Sequence, residues 1–543
     1  MKIKHVVIIH GYILNGTGSN IYTTNLAKTF KSMGLAVTVI CQDLQANNYE
    51  FVDEYFGPND KLPHNPPKSC TIRIIIPNIQ KLLPVYVYDN YEGFNVKTIP
   101  NCTDLEIQQH ILMMTKFLYK ICSHKIDLVI TNHSIFSPVI ASRALQNFNI
   151  PHICKIHGSS LTFVLKNHPK YKKYAIEGLK SCQYIIAGTK HIENYLYEIF
   201  KDDIIAKIFL KEKIIIIPPG MDPEIFKLVT NIKQNQNSFL SKISSNKINN
   251  ARNSKKLELF DLDIKSKSLK DAHHYLVHRG TKYNQRIVDS DLRSKWINRV
   301  IQLDEPVIMY FGKFLNTKGV GEVLVSFPKI LKKIPKLRLL LVGFGEYREH
   351  LEGMLEALKY PGDIETFTKC ALAGDFVDNM DFKKWFIPLT PSELDRITIT
   401  GYLNHSQLGE LLPLASIVII GSKTAEAFGM VAVEAMACGV LPLSNYHSGL
   451  IDCIKVVESV DPELAKIISI QTKKGGIFGF ADGAFLVDQL STKIRQALEY
   501  IYGNDLRFIN TLNQRKELSK KLRQIVIKKF AWKSISKKII DLI

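Results

Sequence analysis

This chain is short of acid, of paired cysteines and of long apolar runs, and each shortage closes off a class of protein. Its nine cysteines, at positions 41, 70, 102, 122, 154, 182, 370, 438 and 453, form no C-x-x-C pair and no Cys/His metal spacing. That argues against a zinc ribbon or a dithiol redox centre. Several stand inside apolar stretches, where a free cysteine is a small core residue, so a reduced, cytoplasmic protein is expected. No apolar run approaches the roughly 18 residues of a membrane span, so no transmembrane helix is expected. The opening "MKIKHVVIIHGYILNG" has a basic start, but His10 and Gly11 interrupt its apolar core and no small-residue cleavage site follows. It reads as a first β-strand and not as a signal peptide.

Acids number 51 against 71 Lys and Arg, for a net charge of +20 and a pI near 9.3. Residues 228–300 alone hold 15 basic against 6 acidic side chains. Such a balance invites a nucleic acid, an anionic membrane or a phosphate-bearing partner, and speaks about association, not fold. Ile, Lys and Asn abound throughout, which marks a compositional bias and weakens that inference. Aromatic and basic residues do not interleave as in a nucleic-acid surface, so no nucleic-acid partner is expected. Peripheral association with an anionic membrane, at its inner cytoplasmic face, remains an expectation from the basic tail and the 228–300 stretch. With 543 residues the chain exceeds one core, and 46% hydrophobic against 22% charged residues is an ordinary globular balance.

What is present is a double alternation of β-branched runs and helical patterns. "HVVIIH" (5–10), "AVTVIC" (36–41), "IDLVIT" (126–131), "HICKIHG" (152–158), "QYIIAG" (183–188) and "KIIIIPPG" (213–220) read as strands. "IYTTNLAKTFKSMG" (21–34) and "SPVIASRALQNF" (137–148) read as helices between them. Continuous Val/Ile runs separated by helices predict a parallel sheet covered on both faces, with ligands at the C-terminal strand ends. After Pro223 the pattern stops, and residues 228–275 are rich in Asn, Lys and Ser, the composition of a linker or insertion. A second alternation begins at "EPVIMYFGKF" (305–314). It continues through a helix at 319–333, strands 337–345 and 415–422, a helix at 430–438 and a strand at 440–445. From about residue 505 the tail is helical and basic.

Within this frame one block stands out, "GSKTAEAFGMVAVEAMACGV" (421–440). Glu426 falls in a loop after a strand and Glu434 inside the following helix. The amides of Phe428, Gly429, Met430 and Val431 open that helix, where the positive helix end favours an anion. An acid on each side of an anion cradle suits a ligand with hydroxyls flanking phosphates, the layout of a nucleotide sugar. Lys313 and Lys318, in "YFGKFLNTKGVGE", follow another strand and could neutralise a diphosphate leaving group. "NGTGSN" (15–20) is a Gly-rich loop that is neither G-x-G-x-x-G nor a Walker loop. His157, in "KIHGSSL", ends a strand of the first unit, with His133 a similar candidate. No Asp-x-Asp metal motif stands at a strand end suited to hold a diphosphate, and no metal ligand is assigned.

Taken in order, "GTGSN…LAKTFKSMGLAVTVI", "KIHGSS", "IIPPGMDPEIF", "YFGKF…KGV", "LLLVGFG", "EAFGMVAVEAMACGVLPL" and the terminal "FAWKSIS" resemble glycosyltransferase family 4. These are retaining nucleotide-sugar transferases of the GT-B fold. The resemblance implies an α/β architecture of two Rossmann-like, doubly wound domains facing a central cleft, with a polar insertion between them. On that expectation residues 1–225 form the acceptor-side domain, 226–300 a polar basic linker or insertion and 301–525 the nucleotide-sugar domain. Residues 526–543 form a C-terminal helix packing back toward the first domain.

The resemblance also implies roles. Glu426 would contact the donor sugar near the reacting carbon, with His157 beside it. Lys313 and Lys318 would hold the diphosphate with Gly18, and Phe428, Gly429, Met430 and Val431 would offer amides. Glu434 would hold the ribose, and Tyr402, after Gly401, would meet the base. The donor is then a substrate, the acceptor is unassigned, and no cofactor is expected. A GT-B epimerase or hydrolase, and a basic nucleic-acid or anionic-surface binder, are the alternatives. Two departures stand out: the family more often has Arg at Lys313, and "HSGLID" replaces its usual Gly-Gly-x-x-Glu with Ser448, Gly449 and Asp452.

Overall fold

The computed structural model describes residues 3–16, 18–63, 65–87, 91–123, 125–229, 231–244, 264–280, 304–372, 382–472 and 482–543. The chain divides into two compact units, Met1–Asp222 with Lys529–Ile543, and Pro223–Lys528.

The first unit contains strands β1 (His5–Ile9), β2 (Ala36–Ile40), β3 (Glu54–Phe56), β4 (Ile72–Ile75), β5 (Leu82–Val85), β6 (Asn95–Thr98), β7 (Leu128–Asn132), β8 (His152–Lys155), β9 (Tyr184–Ala187) and β10 (Ile214–Ile216). Eight of them form one sheet in the order β10-β9-β8-β7-β1-β2-β4-β3, and every neighbouring pair is parallel. β5 and β6 make a separate parallel pair. All five residues of β1 and of β2 are buried, as expected of strands covered on both faces. β1 lies between β2 and β7, so the chain reverses its direction of travel across the sheet there, at the switch point where such sheets open a crevice. The C-terminal helix Trp532–Ile540 belongs to this unit. Its Trp532, Ile535 and Ile539 enter the same core as Phe30 and Leu26 of the helix Ser19–Ser32.

The second unit contains β11 (Val307–Lys313), β12 (Arg338–Phe344), β13 (Ile397–Ile399), β14 (Ile417–Ile420), β15 (Leu441–Asn445) and β16 (Ser469–Ile470). They form an all-parallel sheet in the order β13-β12-β11-β14-β15-β16. Counted within the unit this is the order 3-2-1-4-5-6 of a dinucleotide-binding sheet, with its switch point between β11 and β14.

The 226–300 stretch, read from sequence as a linker or an insertion, is helical where it is described and belongs to the second unit. Helices Ile232–Ser244 and Leu269–Gly280 are part of the second unit, with Phe239, Ala272 and Leu276 buried in it. Lys242 anchors the first helix through an ion pair to Glu410 at 2.6 Å. Residues 245–263 and 281–303 lie outside the described residues. No described helix is long and apolar enough to cross a membrane. All nine cysteines are free thiols, eight of them buried.

Candidate functional site

The candidate site of the second unit is built on the C-terminal ends of β11 and β14. β11 ends at Lys313, and the chain passes through a short turn, Asn316–Lys318, into the helix Val320–Leu331. β14 ends at Ile420, and the loop 421–429 leads into the helix Met430–Ala437. The two loops touch at Gly319, whose backbone takes φ +73° and where a Cβ would come within 2.0 Å of the Gly421 carbonyl oxygen. Only glycine fits there, on both steric and conformational grounds.

A buried ion pair fixes these loops to each other. Lys423 donates from Nζ to Glu322 Oε1 at 2.6 Å and to Asn316 Oδ1 at 2.7 Å, and its backbone N–H donates to the Thr317 carbonyl at 2.8 Å. The side chains of Lys423 and Glu322 are 6% and 8% exposed, so this is an interior clamp and not a surface pair. Among the described residues Glu322 Oε2 is buried with no hydrogen-bond partner, and Lys423 is the cation that pairs with this carboxylate.

Above that clamp, Lys318 and Glu426 form a hydrogen-bonded ion pair. Glu426 is also held by its backbone. Its N–H donates to Ser448 Oγ at 2.8 Å and its carbonyl accepts from Gly449 N–H at 2.9 Å. A Cβ at Gly449 would lie 2.7 Å from the Glu426 oxygen and 2.5 Å from that of Ala427, so the two loops meet backbone to backbone. Ser448 is in turn oriented by His447. His447 Nε2 lies 2.6 Å from the Ser422 carbonyl, which can only accept, so Nε2 carries the proton and Nδ1 accepts from the Ser448 hydroxyl at 2.9 Å. Burial pushes the His447 pKa below the ordinary histidine value, which suits this neutral tautomer.

Glu434 sits one turn into the helix Met430–Ala437 and is 7% exposed. No side-chain hydrogen bond or ion pair is formed by its carboxyl among the described residues. Burial raises its pKa from 4.5 to about 8. The nearby helix end is the positive one, and Gly429 caps it without a side-chain acceptor.

Lys313 lies at the end of β11 with its ammonium 5.9 Å from the centre of the Phe344 ring. That ring meets Tyr402 edge to face at 5.2 Å, so Lys313, Phe344 and Tyr402 form one patch across the ends of β11, β12 and β13. The structure therefore brings Lys318 and Glu426 into contact and groups Lys313 with Tyr402. Phe428, Gly429, Met430, Val431 and Glu434 follow at the helix start.

Gly18 and His157 belong to the first unit. Gly18 caps the helix Ser19–Ser32 at φ 59°, ψ −121°, a conformation open to glycine, and its carbonyl accepts from Tyr22 N–H. His157 follows β8, half-buried, with Nε2 2.8 Å from Asn132 Oδ1. Its ring packs edge-on to Tyr22 at 5.4 Å and beside His133 at 4.8 Å. Burial, together with His133 and Lys155, holds its pKa well below the usual value, so its imidazole is neutral.

Sequence reasoning missed Lys423, Glu322, Asn316 and His447. In the sequence Lys423 is one lysine among many and Glu322 reads as the acid of a first helical turn. Only the approach of β11 to β14 shows that they pair.

A doubly wound parallel sheet with an open helix end, two lysines and two glutamates at the C-terminal strand ends defines a class by its fold: doubly wound α/β proteins with a candidate anion-binding crevice at the switch point. Comparison with known proteins narrows it. A family model described as Glycosyltransferase Family 4 matches residues 16–225, and one described as Glycosyl transferases group 1 matches residues 368–459. The mannosylfructose-phosphate synthase of Agrobacterium fabrum is 24% identical over 195 residues, 36% of this chain and 37% of that protein. The sucrose-phosphate synthase of Thermosynechococcus elongatus superposes with a TM-score of 0.52 at 15% identity, covering 99% of this chain and 98% of that one. Anabaena HepE, solved in complex with UDP and glucose, superposes at 0.50 with 14% identity, covering 99% and 98%. The chain belongs to the GT-B glycosyltransferases of the family 4 type. It spans only about a third to a half (35 to 47%) of the curated relatives it matches in sequence.

Proposed function

We propose that this protein transfers a sugar from a nucleotide-diphosphate sugar to an acceptor hydroxyl, with retention at the anomeric carbon and without a metal ion. The observation that carries the proposal is the pair of glutamates at the β11/β14 switch point. Glu426 is locked to Lys318, whereas Glu434 is buried, unpaired and protonated near neutrality until something donates to it. A ribose diol is such a donor, and the amides of Gly429 to Val431 lie between the two acids.

In the reaction the acceptor oxygen forms a new bond to the anomeric carbon as the bond from that carbon to the diphosphate oxygen breaks. The hydroxyl proton leaves on the departing diphosphate. Lys313, Lys318 and the helix end at Met430 stabilise the charge that develops on that diphosphate, the work a divalent ion performs in other transferases. Glu426 accepts from sugar hydroxyls with the oxygen that Lys318 leaves free. Attack from the face the diphosphate leaves gives retention. The roles of His157 and Gly18 rest on the family resemblance. HepE was solved with UDP and glucose, so a UDP-sugar is the first donor to try.

Nucleotide release across UDP-, GDP- and ADP-sugars, for wild type, Glu426→Ala and Lys318→Ala, tests the proposal. Release from at least one donor in wild type, unaffected by EDTA, and a loss of about 100-fold or more in both variants are expected. Release abolished by EDTA and restored by a divalent ion would overturn the metal-free leaving-group account. Isomerised donor or free sugar as the product, with acceptors present, would favour an epimerase or hydrolase.

A further inference from the structure

Beside Glu426 stand a serine and a histidine that the proposed reaction does not use. The chain leaves β15 at Asn445 and runs through His447, Ser448 and Gly449 into the helix Leu450–Glu458, alongside the loop 421–429. At the start of that loop the Ser422 carbonyl is held by two donors, Asn445 Nδ2 at 2.9 Å and His447 Nε2 at 2.6 Å. Further along, Glu426 is held on both sides of its main chain, its N–H by Ser448 Oγ and its carbonyl by the Gly449 N–H. The His447 ring links the two anchor points, because its Nδ1 accepts from the hydroxyl whose oxygen caps Glu426.

Two features separate this arrangement from ordinary packing. First, Ser448 lies in the left-handed backbone region at φ +47°, where a residue with a Cβ is strained. Glycine enters that region freely, and the family pattern usually has one at this position. Strain of this kind persists where the surroundings fix the residue, and it clusters at functional sites. What serine does here that glycine cannot is bond to Glu426 and to His447 through its side chain.

Second, His447 is 6% exposed and its partners admit only the neutral ring. With Nε2 donating to a carbonyl, Nδ1 accepts from Ser448 only while it carries no proton. Protonation turns that acceptor into a donor, so the Ser448 hydroxyl loses its partner and its hold on Glu426 loosens. Burial lowers the His447 pKa most. Of the charged groups that face the ring, Glu426 raises it and Lys318 lowers it, and the net direction is down. Lys423, on the same loop, is committed to Glu322.

We propose that His447 and Ser448 are positioning residues for Glu426. They fix its main chain from behind so that its carboxylate is presented to the donor sugar, and turnover requires His447 to be neutral. This rests on the transferase reading above and adds to it a means by which the site responds to pH. Below the His447 pKa the cationic ring both releases Ser448 and attracts the Glu426 carboxylate, in competition with the sugar hydroxyls.

The test is steady-state nucleotide release by the full chain from UDP-, GDP- and ADP-sugars, from about pH 5 to 9, for wild type, Ser448→Gly and His447→Gln. Glutamine carries a donor and an acceptor on one planar head and does not titrate, so it can make both bonds of the neutral ring. Ser448→Gly should lower kcat about tenfold at nearly unchanged donor KM, the effect of losing one neutral hydrogen bond at a positioned group. Its melting temperature should not fall, because glycine relieves the left-handed backbone. His447→Gln should keep kcat within about threefold of wild type near pH 7.5. Wild type should lose kcat as pH falls through the lowered His447 pKa, and the glutamine variant should lack that limb. Hydrogen exchange read by mass spectrometry is independent of turnover. The amides of 421–429 should exchange faster in Ser448→Gly than in wild type, and no faster in His447→Gln.

Turnover and exchange in Ser448→Gly equal to wild type, or an acid limb unchanged in His447→Gln, would overturn the inference and leave the transferase reading standing. No nucleotide release by wild type from any donor would instead overturn the transferase reading. The exchange of 421–429 in the two variants would then uphold or overturn the anchoring of Glu426 by itself.

Discussion

Replacing Glu434 by glutamine removes a buried carboxyl but keeps its shape, and the effect on stability can be worked from its surroundings. The unfolded chain gives up this proton near 4.5, the folded chain near 8. Between those values the folded state holds the extra proton, so stability falls as pH rises, and the full penalty is present above about pH 8. A change from 4.5 to about 8 corresponds to roughly 5 kcal/mol at 1.36 kcal/mol per tenfold step. The group keeps 7% exposure, and water reaching it brings the expected penalty to about 2–4 kcal/mol.

Glu434→Gln should therefore match wild type near pH 5 and exceed it by about 2–4 kcal/mol near pH 8.5, read from thermal or urea unfolding at several pH values. Nucleotide binding gives an independent view of the same group. Hydroxyls that donate to the carboxylate favour its ionised form, so at pH 7 binding of UDP should release close to one proton. Calorimetry in buffers of different ionisation enthalpy counts that proton, and the glutamine variant should release none. Equal stability of the two proteins at pH 5 and at pH 8.5 would refute the reasoning, because an unpaired interior carboxyl cannot be free of pH dependence.

The buried clamp makes a second prediction. Lys423→Met should destabilise the protein by about 3–5 kcal/mol, because it leaves Glu322 charged and unpaired in the interior. The double variant Lys423→Met/Glu322→Leu should recover most of that loss in unfolding experiments, while the turnover it supports stays low because the loops of Lys318 and Glu426 are no longer tied. Gly319→Ala should abolish nucleotide release with the fold otherwise intact by circular dichroism, since its methyl would strike the Gly421 carbonyl and part the two loops.

Much of the architecture was legible because fully buried parallel strands need continuous β-branched runs. "HVVII", "AVTVI", "IVII" and "LLLVGF" could be assigned on sight for that reason. The strands β3 to β6 and the helix Asp104–Cys122 carried no such sign. β4 includes Arg73, a residue that argues against an interior strand until its guanidinium is seen bonded to Glu54 and to the Asn65 carbonyl, each at 2.6 Å. The helices at 232–244 and 269–280 were hidden in a polar composition. Few side chains such as Phe239 and Leu276 fasten them, too few to give a period.

At the site the same division holds. The sequence by itself determined which groups are chemically available: two glutamates around an open helix start, two lysines after a strand, a histidine after another. Their chemistry and their place at strand ends follow from local order, because a parallel α/β chain must turn at each of those points. Only the tertiary structure decided how each group is used. It paired Lys318 with Glu426, left Glu434 alone, and spent Lys423 on Glu322. It also set His447 and Ser448, from a later loop, against Ser422 and Glu426. Burial and partnership are set by what the sheet order brings together, and the strand order of a parallel sheet is a long-range property that no short stretch of residues encodes.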